Sequence, residues 1–140
     1  MSNFGRTIDG YVKKYQARMR ATYRTATQEI VADAQTPQGN DGRMPIDTGF
    51  LRASIAAAID SVPSGQTKGE DGNYPSVDVI GGNVAATLLR WDMTKGQTIV
   101  IGWVAAYAPN MEYKYGFLRG ATEQWPKTVD SVAKRVRRSI

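Results

Sequence analysis

Apolar side chains recur at steps of three and four through the first quarter of the chain: Ile8, Val12, Tyr15, Met19, Thr22 or Tyr23, Ala26 and Ile30. That is the helical period, and it predicts an amphipathic helix over residues 6–34. Lys13, Lys14, Arg18, Arg20 and Arg24 fall mostly off the stripe. Thr36-Pro37 and Gly39 then stop the helix, because proline removes a donor and biases its predecessor toward extended backbone. Residues 35–46 are turn formers with little to bury.

From residue 47 the pattern changes. Leu51, Ala53, Ile55, Ala57 and Ile59 share one parity, with Arg52 and Ser54 on the other, which predicts a strand over 47–59. Residues 61–82 are rich in Gly, Ser, Pro, Asp and Lys apart from Val77–Ile80, and predict a long projecting hairpin loop. Two further strands are expected at 84–91 and 98–104, joined by the turn Asp92-Met93-Thr94-Lys95-Gly96. Tyr107-Ala108-Pro109 leads into a short helix or turn through Tyr115-Gly116. Leu118, Ala121, Trp125, Val129, Val132 and Val136 then predict a final helix over 118–138. Pro126 either kinks that helix or stands at its first position. The expected fold is one α+β domain: a long first helix, an antiparallel sheet of three or four strands, and a closing helix, both helices on the same sheet face.

Length and charge narrow the picture. At 140 residues there is room for one domain with a useful core. The net charge of +5 sits at the two ends, since residues 1–34 and 121–140 each carry +3 and the middle −1. Such a distribution suits proximity to DNA or an acidic protein surface, or simply a solvated helix face. Arg18, Arg20, Arg24, Arg135, Arg137 and Arg138 are the candidates to face DNA. The apolar run 98–108 is about half the ~20 residues of a membrane span, and the first ten residues lack a signal-peptide pattern. The expectation is a protein without membrane association.

The absence of histidine and cysteine excludes imidazole bases, thiolate nucleophiles and zinc sites of the usual ligands. Asp47 with Glu112-Tyr113-Lys114 is superficially similar to the acid and Glu-x-Lys of magnesium nucleases, a pattern short enough to arise by chance. There is no phosphate-binding glycine loop. The tyrosines 11, 15, 23, 107, 113 and 115 read more readily as core or protein-contact residues than as base-stacking ones. No cofactor, no metal and no catalytic residue is expected.

Pro45-Ile46-Asp47-Thr48-Gly49-Phe50-Leu51-Arg52-Ala53-Ser54-Ile55 resembles the signature of the minor tail component family of tailed phages, which includes head–tail joining and tail-completion proteins. Tyr107-Ala108-Pro109-Asn110-Met111-Glu112-Tyr113 and Phe117-Leu118-Arg119-Gly120-Ala121 are similar to two later segments of that family. Where the family continues Gly-Thr, this chain has Lys114-Tyr115-Gly116. The resemblance implies a structural virion protein at the neck or upper tail, present in the host cytoplasm during assembly. It would form a hexameric or dodecameric ring between a portal-side adaptor or stopper protein and the tail terminator or tail tube. A terminator ring capping the tail tube and a small basic DNA-binding protein are the alternatives. Candidate subunit-interface residues are Asp47, Thr48, Gly49, Arg52, Tyr107, Glu112, Tyr113 and Arg119. Arg52 is expected to pair with an acid, Glu112 for one, in a neighbour or in the same chain. Gln66, Lys68, Glu70, Asp71 and Tyr74 form the candidate docking loop. Asp47-Thr48-Gly49 has a purely structural reading too, as a tight turn.

Overall fold

The structure is a computed structural model describing residues 3–46, 50–63, 77–105 and 107–139. Helix α1 spans Asn3–Ala34, close to the expected limits. It ends where Gln35 and Thr36 precede Pro37, and the Thr36 hydroxyl donates back to the Ala32 carbonyl at 2.8 Å. Its last turns are buried through Ala26, Ile30 and Ala34. The loop that follows closes through a bridge between Pro37 and Met44. Glycine is required at position 42, where a Cβ would stand 2.0 Å from the Thr36 carbonyl oxygen.

The strand expected over 47–59 is shorter. Residues 50–53 form one helical turn, α2 (Phe50–Ala53), and only Ile55–Ile59 is extended, as β1. Leu, Arg and Ala are good helix formers, and the Ser54 hydroxyl, bonded to the Leu51 carbonyl at 2.6 Å, ends the turn. Leu51 and Ala53 are buried, but so is Ser54, which the expected alternation places on the opposite face, so the period-two pattern holds only from Ile55 onward.

The larger correction lies downstream. Residues 84–91, expected as a strand, belong to helix α3 (Val77–Arg90), which also takes in residues 77–82 of the expected loop. Val84, Thr87, Leu88 and Trp91 are buried while Ala85, Ala86, Leu89 and Arg90 are exposed. This spacing of three, four and seven is helical, and it overrides what looks like a continuous apolar run. Consequently, among the described residues, the sheet has two strands, not three or four: β1 pairs antiparallel with β2 (Ile99–Trp103), Ile55 opposite Trp103 and Ile59 opposite Ile99. One face, carrying Ile55, Ala57, Ile99, Ile101 and Trp103, packs on Val84 and Leu88 of α3, on Trp91 just past its end, and on Tyr23 and Val31 of α1.

The closing helix is also divided. Helix α4 (Ala108–Tyr115) is followed by α5 (Phe117–Thr122) and α6 (Trp125–Ser139). Pro126 falls in the first turn of α6, where its missing N–H costs no intrahelical bond. Contrary to expectation, α6 lies on α1 and not on the sheet: Val132 and Val136 pack with Ala26, and Tyr23 stacks on Trp125 at 6.3 Å. The two helices run antiparallel, with Gln124–Thr128 beside Glu29–Asp33 and Val136–Arg137 beside Tyr15–Tyr23. The class expected from the sequence, α+β with a long first helix, holds.

Candidate functional site

Three sequence segments, 45–55, 107–113 and 117–121, meet in one apolar cluster. Leu51 from the first, Ala108 from the second and Phe117 from the third are buried together with Met44 and Ala105. Met111, Leu118 and Trp103 pack against them, and the Trp103 and Phe117 rings meet edge to face at 5.0 Å, an arrangement aromatic quadrupoles favour.

Around this cluster the polar groups lock one element to the next. Gln35, just past the end of α1, accepts from the Trp103 indole N–H at 2.7 Å and donates from Nε2 to the Arg52 carbonyl at 2.9 Å. Arg52 returns the contact, its Nε donating to the Gln35 carbonyl at 3.0 Å. One side chain therefore ties α1, α2 and β2 together. Glu112 does the same for α4 and α5. Its two carboxylate oxygens accept the backbone N–H groups of Leu118 and Arg119 at 2.8 and 2.9 Å, which have no intrahelical partner at the start of α5. Gly116 joins the two helices at φ 62°, a left-handed conformation that costs glycine little. The Arg119 guanidinium folds back over it, an NH2 nitrogen 2.9 Å from where a Cβ would stand.

The candidate interface residues thus divide. Arg52 and Glu112 do not pair with each other; each makes its bonds within the chain. Tyr107 is partly exposed and Tyr113 is 88% exposed, while Arg119 is exposed with its guanidinium folded back over Gly116. Asp47, Thr48 and Gly49 lie outside the described residues, as do Gln66, Lys68, Glu70, Asp71 and Tyr74 of the docking loop.

The arginines proposed to face DNA are also used internally. The Arg24 guanidinium donates twice to the Trp91 carbonyl, from Nε at 3.0 Å and from NH2 at 2.5 Å, at the C-terminal end of α3 where carbonyls lack helical partners. Arg20 reaches Asp92 at 3.5 Å and the Thr94 hydroxyl at 3.3 Å. Arg135 pairs with Glu29 at 2.6 Å. Arg18 and Arg137 line the groove between α1 and α6, and Arg138 is exposed. Asp92 also accepts from the backbone N–H of Thr94 at 3.0 Å and from its hydroxyl. The Thr94 hydroxyl bond is the largest of the influences that hold the Asp92 carboxyl below its usual range, with the backbone bond, Arg20 and Lys95 adding to it against a partial opposing effect of burial.

Among the described residues no three acidic side chains converge as metal ligands, and no helix is long and apolar enough to cross a membrane. An apolar cleft of about 420 Å³ lies between α1, β2 and the start of α6 and is walled by Ile30, Ile101, Trp103 and Trp125. It holds no pair of titratable groups. No local pattern marks Gln35, whose partners stand 17 and 68 positions away. Nor did it signal the capping role of Arg24, because the residues it caps were read as a strand. Comparison with protein-family models, with curated proteins and with solved structures finds no match to this chain.

Proposed function

We propose that this chain is a non-enzymatic assembly protein of a tailed phage, a head–tail joining or tail-completion component. In this reading copies form a ring between a portal-side adaptor or stopper and the tail terminator or tube. One observation carries the reading. Three sequence segments that resemble the minor tail component family, more than fifty residues apart at their extremes, contribute Leu51, Ala108 and Phe117 to one core. Arg52 and Glu112, the polar residues of those segments, hold that core's elements in place. A ring follows when a head-to-tail contact between copies closes on itself, and the exposed Tyr107, Tyr113 and Arg119 are of residue types frequent at protein contacts. The small-DNA-binding alternative is weakened because Arg20, Arg24 and Arg135 spend their charge inside the chain.

The test is genetic and biochemical. Lysates of the phage lacking this chain should accumulate separate filled heads and finished tails, and adding the purified protein should join them. Infectious, tailed particles assembled without it refute the proposal.

A further inference from the structure

The apolar stripe of α1 is longer than the surface that covers it. Helix α6 runs back along α1 only as far as Tyr15–Met19, where Val136 and Arg137 sit. Among the described residues the stretch 3–15 is little covered: nearly all of it is exposed, and Tyr11, Val12 and Tyr15 only border grooves, one edged by Met93 and Thr94 and one by α6. At 1.5 Å per residue this stretch is about 20 Å long. It is not a polar extension. Phe4 is 76% exposed, Tyr11 and Tyr15 67% each, and Ile8 and Val12 nearly half. With about 100° of turn per residue, these five side chains fall within an arc of about 100°. The same arc, continued along the helix, carries Ala26 and Ile30, which the chain's own elements bury. Arg6 and Lys13 lie on the opposite side, with Asp9 on the flank.

We infer that this exposed stripe is covered by the same stripe of a second copy of the chain, the two α1 helices lying antiparallel about a two-fold axis. Surface area is the first argument. Three aromatic side chains of about 150–250 Å² each, mostly exposed, together with Ile8 and Val12, leave on the order of 600 Å² of apolar surface. Monomers rarely expose a contiguous patch above a few hundred Å². Two such stripes pressed together remove about 1,200 Å² from water, the lower edge of a stable specific interface. Self-complementarity is the second. The stripe contains no charge, so an identical stripe meets it without stranding one, and an isologous contact needs only one patch. The direction follows from the body. In a parallel pair both copies of α6 would compete for the continuation of the arc, whereas in an antiparallel pair the bodies stand at opposite ends. The overlap then places Phe4 near the partner's Tyr15, and Ile8 near its Tyr11. This pairing is a property of the free protein and stands apart from the ring proposal.

The experiment uses the full chain. Light scattering across a micromolar concentration series should give twice the subunit mass of 15.4 kDa. The double variant Ile8→Glu/Tyr11→Glu should weaken the association by about 100-fold or more, the consequence of placing charges at the centre of an apolar contact. Lys13→Glu, on the far side, should leave it unchanged. Both substitutions sit on exposed helix, and circular dichroism checks that the fold is kept. The chain has no cysteine, so introduced ones report orientation: Phe4→Cys with Tyr15→Cys should oxidise to a covalent dimer, and Phe4→Cys alone should not. A monomer throughout the series overturns the inference, as does an oligomer indifferent to Ile8→Glu/Tyr11→Glu. A monomer that instead binds anionic lipid vesicles through Tyr11 also overturns it and assigns the stripe to a membrane surface.

Discussion

Removing the Gln35 side chain beyond Cβ is the sharpest test of how the signature segment is held. Gln35→Ala deletes the acceptor of the Trp103 indole N–H and the donor to the Arg52 carbonyl. Each such bond contributes about 0.5–1.5 kcal/mol net, and a partner left partly buried without a replacement costs about 1–3 kcal/mol. Both partners are part-buried here, so water recovers some of that loss and the expected cost is about 2 kcal/mol. With a urea m-value of about 2 kcal/mol/M, the unfolding midpoint should fall by about 1 M at unchanged slope. Tryptophan fluorescence follows the transition, since Trp103 sits at the bond being removed. A cycle with Trp103→Phe isolates the indole bond: the packing lost with the ring cancels, and the coupling should be about 1 kcal/mol. A midpoint shift below about 0.2 M, or a coupling indistinguishable from zero, refutes the claim that Gln35 ties these elements together.

Glu112→Ala strands two backbone amides at the start of α5; with charge-assisted bonds at about 1.5–3 kcal/mol, the melting temperature should drop by about 5–10 °C, read by calorimetry. Glu112→Gln should lie between, keeping one acceptor. Acid should loosen the contact between α1 and the Met93–Lys95 turn. The Asp92 carboxyl is held below its unfolded value, so its contribution is complete above about pH 4 and is lost as pH falls through the lower folded value. The stability difference between the wild type and Asp92→Asn should therefore be constant from pH 5 to 8 and shrink below pH 4, in parallel urea titrations.

What could be read along the chain and what could not differ by the distance over which the signal acts. Helix α1 was legible because its stripe, Ile8 to Ile30, repeats through about six turns, and β2 because Ile99, Ile101 and Trp103 alternate cleanly. Helix α3 was missed although Val84, Thr87, Leu88 and Trp91 carry the helical spacing, because eight residues hold only two turns and short apolar runs fit either period. That one misreading also hid the roles of Arg24 and Arg20, whose partners are the end of α3 and the turn after it. As for the site, the motif residues were found, yet Arg52 and Glu112 bond to backbone groups of neighbouring elements. Backbone partners carry no sequence mark, so a search for complementary charges points elsewhere.

The pairing of α1 with α6 sets a timetable for synthesis. Glu29 and Arg135, which meet across the two helices, are 106 positions apart. At about 5–20 residues per second, α1 leaves the ribosome roughly 5–20 s before α6 does. During that interval the side chains that will be the core of the finished molecule, Ala26 and Ile30, share the fate of Phe4 and Tyr11: all of them face water on a bare helix. Nascent chains on one message carry such helices side by side. Until α6 is made, the arc of α1 that it covers in the finished molecule is open to any other apolar surface.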